Sequence, residues 1–201
     1  MTSPVSAQAP VGKPIKLVVL GDSLSAGHGL PAEAAFPVRL QKALKDKGID
    51  VDMINAGVSG DTTSGGLARL DWSVPEGTRA VILELGANDA LRGIDPKIPR
   101  AALEQILTRL QARHIAVLMC GMLAPPNFGP DYAAQFNAIY PDLAKAYGVP
   151  LYPFFLLGVA GDARFNQADG IHPTAEGVDI IVQAILPSVE AFLGAMSGQR
   201  S

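Results

Sequence analysis

The feature that most constrains the fold is a regular alternation of short apolar runs with segments of helical periodicity. Near-continuous apolar runs, such as residues 15–20 and 80–85, are typical of parallel strands that are covered on both faces. Further strands are predicted at 115–119 and 149–152, and at 49–53, where apolar and polar residues alternate. Because helices separate these strands, the pattern predicts one three-layer α/β domain with right-handed crossovers and a parallel sheet of about five strands.

The helices are predicted from apolar spacing and from capping residues. The helix after the first strand has Pro37 in its first turn and ends at Gly48, and a short helix follows the N-cap candidates at residues 61–64. Asp95 is predicted to cap a further helix, with proline at its first position. Pro141 should kink or divide the helix over 131–147, and the last helix should cover about 174–193.

We therefore expect a single domain over residues 15–193, with a flexible leader at 1–14 and a flexible tail at 194–201. Within the leader, Ala7-Gln8-Ala9 resembles the small-residue end of a secretory signal, although no charged or apolar region precedes it. The alternative is an Ala/Pro/Ser-rich leader without a targeting role. We expect a periplasmic or secreted protein rather than a cytoplasmic one.

Composition excludes several classes of protein. A net charge of −3 without blocks of like charge gives no basis for nucleic-acid binding. No apolar run approaches the roughly 18 residues expected of a membrane span. The single cysteine, Cys120, excludes an intramolecular disulfide. No coiled-coil pattern indicates an oligomeric state.

Residues of complementary chemistry follow different predicted strands. Ser23 follows the first strand at a strand-to-helix turn, Gly57 the second, Asn88 the third, and the pair Asp169 and His172 the fifth. In an open parallel sheet, segments that follow the carboxyl ends of the strands emerge at one edge. The sequence therefore predicts that these residues meet in one site, with Ser23 as a nucleophile.

A serine nucleophile requires a base, and the chain contains three histidines. His172 lies three residues after Asp169, a spacing that lets the carboxylate orient the imidazole and stabilise its protonated form. His28, in a glycine-flanked turn, is predicted to line the pocket rather than to act as the base. His114, beside the fourth strand, is predicted to be structural.

Acyl transfer also requires donors for the oxyanion. The candidates are the backbone N–H of Ser23 at a helix N-terminus, the backbone at Gly57 and the side-chain amide of Asn88. Taken alone, Gly57 and Asn88 are equally well explained as turn residues.

Other polar and aromatic residues are interpreted as structural. Asp22 is expected to cap the helix that carries Ser23, and Glu84, inside an apolar strand, needs a buried partner such as Arg69. Trp72 is expected to be a packing residue. The candidates for binding the acyl group, chosen by position and apolarity, are Leu91, Ile94, Met122, Phe128 and Ile171.

Four sequence blocks resemble, in order, those of the GDSL or SGNH hydrolase family, and within it the bacterial arylesterase, thioesterase and lysophospholipase branch. The resemblance covers nearly the whole chain from about residue 16, and the third block carries alanine where the family often has a second glycine. The blocks are Gly21-Asp22-Ser23-Leu24-Ser25, Asn55-Ala56-Gly57, Gly86-Ala87-Asn88-Asp89 and Asp169-Gly170-Ile171-His172-Pro173.

The resemblance implies a flavodoxin-like α/β/α fold and a catalytic triad of Ser23, His172 and Asp169. It also implies an oxyanion hole formed by Ser23, Gly57 and Asn88. The branch is commonly exported to the periplasm, which agrees with the leader.

We therefore predict a serine esterase that acts through an acyl-enzyme on Ser23, without a metal or organic cofactor. The expected partners are small-molecule substrates: aryl or short- to medium-chain acyl esters, with thioesters and lysophospholipids also open. The alternatives are a carbohydrate acetylesterase with the same triad and a metal-dependent hydrolase, although no metal-binding motif supports the second. The spacing of the glycines excludes dinucleotide and P-loop motifs, and G-x-S-x-G is absent.

Overall fold

The computed structural model describes residues 14–198, and within them five strands form one parallel sheet. The strand order is β2-β1-β3-β4-β5, and β5 is only two residues long. The strands are β1 (Ile15–Gly21), β2 (Val51–Gly57), β3 (Ala80–Glu84), β4 (Ala116–Cys120) and β5 (Leu151–Tyr152). The predicted α/β architecture with a parallel sheet is confirmed.

Helices cover both faces of this sheet. They are α1 (Ser23–Ala26), α2 (Phe36–Asp46), α3 (Thr63–Ala68), α4 (Leu70–Ser73), α5 (Ala87–Leu91), α6 (Lys97–Ala112), α7 (Pro130–Asn137), α8 (Ile139–Tyr147) and α9 (Ala175–Gly198). The helices α2 and α9 pack on each other on one face, while α3, α6 and α8 pack together on the other. This arrangement follows from right-handed crossovers that run in opposite directions across the sheet, first from β1 to β2 and then from β2 past β1 to β3.

The core lies against the two central strands. Residues 17–20 of β1 and 80–82 of β3 are fully buried, which explains why both strands are apolar without alternation. The apolar stripe of α9 packs against this core through Ile181, Ile185 and Val189. By length and composition alone α9 is apolar enough to span a membrane, but its packing is that of a core helix.

Some boundaries differ from the predictions. The segment after β4 is divided between α7 and α8 at Ala138, and Pro141 lies in the first turn of α8, where its missing N–H costs no helical hydrogen bond. The last helix continues to Gly198 instead of ending near 193. The leader at 1–14 lies outside the described residues except for Pro14, and so do residues 199–201 of the tail.

The strand order places a crevice beside β1. The chain moves from β1 to β2 on one side and then to β3 on the other, so the loops after β1 and β3 diverge. Ligands bind in such crevices, outside the carboxyl ends of the strands.

Candidate active site

The nucleophile candidate is held at the first residue of α1, immediately after β1. Asp22 is the N-cap of this helix, and its Oδ1 accepts a hydrogen bond from the N–H of Leu24 at 2.9 Å. Gly21 is required here because a Cβ would lie 2.7 Å from the Glu84 carbonyl oxygen on the neighbouring strand. The hydroxyl of Ser23 is therefore fixed by the strand-to-helix junction, with most of the residue buried.

The three residues of the predicted triad form one hydrogen-bonded chain. His172 Nε2 lies 2.9 Å from Ser23 Oγ, and His172 Nδ1 lies 2.7 Å from Asp169 Oδ2. An ionised carboxylate only accepts hydrogen bonds, so Nδ1 carries the proton and Nε2 accepts from the serine hydroxyl. This tautomer is the one that general-base catalysis requires.

Asp169 is oriented by its own loop. Its Oδ1 accepts hydrogen bonds from the N–H groups of Ile171 and His172, both at 3.0 Å. These bonds, with that to the His172 ring, lower the pKa of Asp169 below its usual range, and the bond from Ile171 contributes most. Asp169 is thus held as the carboxylate although its side chain is 42% exposed.

The Asn88 side chain faces the nucleophile from the end of β3. Its Nδ2 donates a hydrogen bond to Asp22 Oδ2 at 3.2 Å, and its Oδ1 accepts one from Arg92 at 3.4 Å. Asn88 lines the same pocket as Ser23 and His172. One N–H of the amide is used by Asp22, which leaves the second for a ligand.

Gly57 does not fit the predicted role of oxyanion donor. Its N–H donates to Asn55 Oδ1 at 2.9 Å, and Gly57 does not line the pocket. The physical reason for a glycine at this position is close packing, because a Cβ would lie 2.8 Å from Ala26 Cα and 2.8 Å from the Asp22 carbonyl oxygen. The geometry therefore contradicts the expectation for Gly57.

Gly60, which the sequence reasoning missed, takes the place expected of Gly57. It lines the pocket beside Ser59, and its N–H makes no hydrogen bond within residues 14–198. Its φ of 81° favours glycine, and its carbonyl oxygen is held by Arg92 at 2.9 Å. The sequence signal for Gly60 was a second glycine after the same strand, two residues before the N-cap of α3 at Thr62.

Two buried carboxyl groups lie behind the nucleophile. Glu84 Oε2 accepts from Ser25 Oγ at 2.6 Å and from the N–H of Asp22 at 3.4 Å, while Oε1 has no partner among the described residues. Burial and the neighbouring Asp22 raise the pKa of Glu84 well above its ordinary value. Burial also raises the pKa of Asp22, from 3.8 to about 6. Burial therefore disfavours the ionised form of both carboxyl groups, and a negative charge on Asp22 further disfavours ionisation of Glu84.

Arg69 is not the partner of Glu84, contrary to the prediction. Its guanidinium pairs with Asp61 at 2.6 Å and donates to the carbonyl oxygens of Ala56 and Gly21, both at 2.8 Å. These two carbonyl groups lie at the carboxyl ends of β2 and β1, beside the candidate site. Arg69 thus fixes the two strand ends relative to each other.

The pocket above Ser23 has a volume of about 780 Å³. The predicted Leu91, Met122 and Ile171 line it, but Ile94 and Phe128 do not. The Ile94 carbonyl accepts from the Tyr132 hydroxyl, and the Phe128 ring packs 5.2 Å from the Tyr132 ring. The rest of the apolar wall is formed by Leu24, Leu123, Pro125, Pro126, Phe154 and Leu156.

The remaining polar and aromatic candidates lie as follows. His28 lines the pocket as predicted, and His114 lies outside it. The Asp89 carboxylate accepts hydrogen bonds from the N–H and the hydroxyl of Thr63, the first residue of α3. Trp72 is 73% exposed, so its prediction as a packing residue is wrong. Within residues 14–198 no group of three or more His, Cys, Asp or Glu side chains is arranged to hold a metal ion.

Comparison with known proteins gives consistent matches. Residues 19–180 match the model of the GDSL-like Lipase/Acylhydrolase family. The chain is 40% identical to Esterase TesA of Pseudomonas aeruginosa, covering 88% of this chain and 89% of that protein. It is 42% identical to an arylesterase of Vibrio mimicus, covering 85% and 86% of the two chains.

Two further matches agree with these. The chain is 42% identical to Thioesterase 1/protease 1/lysophospholipase L1 of Escherichia coli, covering 82% of this chain and 78% of that protein. The crystal structure of AlinE4, an SGNH-hydrolase family esterase, superposes with a TM-score of 0.77 at 44% identity, covering 90% and 97% of the two chains.

Proposed function

Because the chain belongs to the GDSL-like lipase/acylhydrolase family and is an ester-acting serine hydrolase, we propose that Ser23, His172 and Asp169 carry its reaction. The observation that carries this proposal is the continuous hydrogen-bonded chain from Ser23 Oγ through the imidazole to the Asp169 carboxylate, with distances of 2.9 and 2.7 Å. Among the described residues, no other serine hydroxyl lies within hydrogen-bond distance of the His172 ring.

The reaction proceeds by double displacement. Ser23 Oγ attacks the ester carbonyl carbon while His172 Nε2 takes the hydroxyl proton, and Asp169 stabilises the imidazolium that forms. Collapse of the tetrahedral intermediate transfers that proton to the leaving alcohol or thiol and leaves the acyl group on Ser23. Water, deprotonated by His172, then attacks the acyl-enzyme and releases the carboxylic acid and the free serine.

The oxyanion is bound by the N–H of Ser23, the N–H of Gly60 and the Nδ2 of Asn88. The first lies at the start of α1, and neither backbone N–H has a hydrogen-bond acceptor within the described residues. Asn88 is held in place by the Asp22 carboxylate. Because these donors are fixed before the substrate binds, they cost no reorganisation when the negative charge develops.

The substrates are aryl esters or short- to medium-chain acyl esters, with acyl thioesters and lysophospholipids as further members of the same class. Support comes from the largely apolar wall around Met122, Leu123 and Phe154, which suits an acyl chain. The names of the matched arylesterase and thioesterase agree with this range. A carbohydrate acetylesterase is the alternative, because the polar edge at Ser59 and His28 could contact a sugar.

The decisive test compares wild type with Ser23→Ala and with Ser64→Ala, an exposed serine on α3. We expect Ser23→Ala to lower kcat by about 10⁴-fold or more, with unchanged stability, and Ser64→Ala to retain full activity. An aryl phosphonate should add to Ser23 in wild type, as mass spectrometry of peptides will show. Normal turnover by Ser23→Ala, or loss of activity in chelator, would refute the proposal.

Substrate choice is tested with a panel of aryl esters from acetyl to palmitoyl, an acyl thioester and an acetylated sugar. The apolar wall predicts that kcat/KM rises with acyl length beyond acetyl. A preference for the acetylated sugar over every aryl ester would favour the alternative.

We also propose export to the periplasm or the medium. Support comes from the Ala7-Gln8-Ala9 pattern, which lies outside the described residues, and the matched relatives are bacterial. Esterase activity that fractionates with the cytoplasm of the native host would contradict this.

A further inference from the structure

We propose that His28 is a positioning residue for the catalytic base: its ring covers one face of the His172 imidazole and keeps Nε2 aimed at Ser23. This inference rests on the proposed function, since it assigns His172 as the base. His28 itself accepts no proton from Ser23 in this scheme.

The two imidazole rings are in direct contact. Their centroids lie 4.4 Å apart and their planes are tilted by 37°. The Nδ1 atom of His28 lies 3.4 Å from the hydroxyl oxygen of Ser59. The His28 ring therefore lies between the loop that follows β2 and the face of His172, at the open side of the pocket.

The main chain at His28 is tied to both halves of the site. Its N–H donates to the Ser23 carbonyl oxygen at 3.1 Å, which fixes the turn to α1. Its carbonyl oxygen accepts from Gln167 Nε2 at 2.8 Å. Gln167 also donates from its backbone N–H to the His172 carbonyl oxygen at 2.7 Å. The position of the His28 ring is thus set by the nucleophile helix and by the loop of the base together.

His172 needs such support because its loop is exposed. Residues 168–171 are exposed, and Asp169 contacts the imidazole at one edge only. A ring packed on one face limits rotation of the His172 side chain, and aromatic pairs in tilted contact contribute beyond the area that they bury. Small misplacements of a catalytic group are costly, about 10²-fold for 1 Å.

The experiment measures kcat and KM on an aryl acetate for wild type, His28→Ala, His28→Phe and the control His114→Asn. The control removes an exposed histidine whose φ of 54° asparagine accepts, and it lies outside the pocket. We expect His28→Ala to lower kcat by about 10-fold with KM changed less than about twofold. His28→Phe keeps a ring and should recover most of kcat, while His114→Asn should match wild type.

The split between kcat and KM and the recovery in His28→Phe are readouts that a purely structural role would not move. The inference is overturned if His28→Ala equals wild type, if its loss is confined to KM, or if His28→Phe is as poor as His28→Ala.

Phosphonate labelling separates this inference from the proposed function. If wild type is not labelled at Ser23, the proposed function fails, and the inference with it. If Ser23 is labelled and His28→Ala turns over normally, only the inference fails. Circular dichroism of each variant identifies misfolding. If His28→Ala misfolds, His28→Leu, which keeps bulk without a ring, replaces it and should likewise lose kcat relative to His28→Phe, and equal kcat values for these two variants would overturn the inference.

Discussion

Replacing Asp22 with asparagine should make the protein more stable at neutral pH and less active. Asp22 lies in the interior beside Glu84, and among the described residues no cation pairs with either carboxyl group. Burial raises the pKa of Asp22 from 3.8 to about 6. Asparagine keeps an oxygen that can accept from the Leu24 N–H, so the helix cap is retained.

The size of the effect follows from proton linkage. Near pH 4 Asp22 is mostly protonated when folded, and the free energy of unfolding is little affected by it. As pH rises toward 6, the unfolded chain ionises while the folded chain keeps the proton, so stability falls. A shift from 3.8 to about 6 corresponds to a loss of about 3 kcal/mol, complete above pH 6. Asp22→Asn lacks this loss.

Urea unfolding of wild type, Asp22→Asn and the exposed control Asp50→Asn, at several values between about pH 4 and pH 7.5, measures this difference. The advantage of Asp22→Asn should grow from near zero to about 3 kcal/mol across that range. An advantage that does not change with pH, or one that shrinks as pH rises, would refute the reasoning.

The activity of Asp22→Asn should be lower than that of wild type. Asp22 Oδ2 holds the Asn88 amide, and an asparagine that caps α1 with its oxygen presents an amino group to Asn88 instead. Misplacing one oxyanion donor costs up to about 10²–10³ in kcat. The buried charge is thus retained at a cost in stability, as is common where function requires it.

Three further predictions follow from the same geometry. Asn88→Ala should lower kcat by about 10²-fold with a smaller change in KM, and a change confined to KM in steady-state assays would argue against an oxyanion role. Gly57→Ala places a Cβ 2.8 Å from two backbone atoms and should cost about 3 kcal/mol, whereas Gly60→Ala meets only Arg92 Nη2, at 3.8 Å, and should cost about 1–2 kcal/mol for its φ of 81°; the reverse order of thermal midpoints would contradict this. Arg69→Met leaves Asp61 and two strand-end carbonyls unpaired and should cost about 3–5 kcal/mol in urea unfolding, and a loss below 1 kcal/mol would show that water replaces the guanidinium.

The fold could be predicted because its signals are local. A strand covered on both faces has to be apolar throughout, so residues 17–20 and 80–83 identified the two central strands directly. The residues after those strands then indicated the candidate site, since parallel strands deliver their carboxyl ends to one edge. Asp169 and His172 were recognisable because their contact needs only the loop that contains both.

Contacts between distant segments could not be predicted in this way. Gly57 and Gly60 follow the same strand, and the choice between them depends on the Asn55 side chain, which occupies the N–H of Gly57. The partner of Arg69 is Asp61, eight residues earlier, because the turn between them brings the two together. Ile94 and Phe128 were chosen by position, and the ring of Tyr132 decided their contacts.

The unequal support of the two halves of the site has a consequence for heat inactivation. The Ser23 turn and the Asn88 amide are anchored by the buried Asp22, whereas His172, the proposed base, stands on an exposed loop. Segments with few buried contacts open at lower free energy than the core around them. Catalysis should therefore cease through opening of that loop while the sheet is still intact, so the working temperature limit lies below the melting temperature and cooling restores activity.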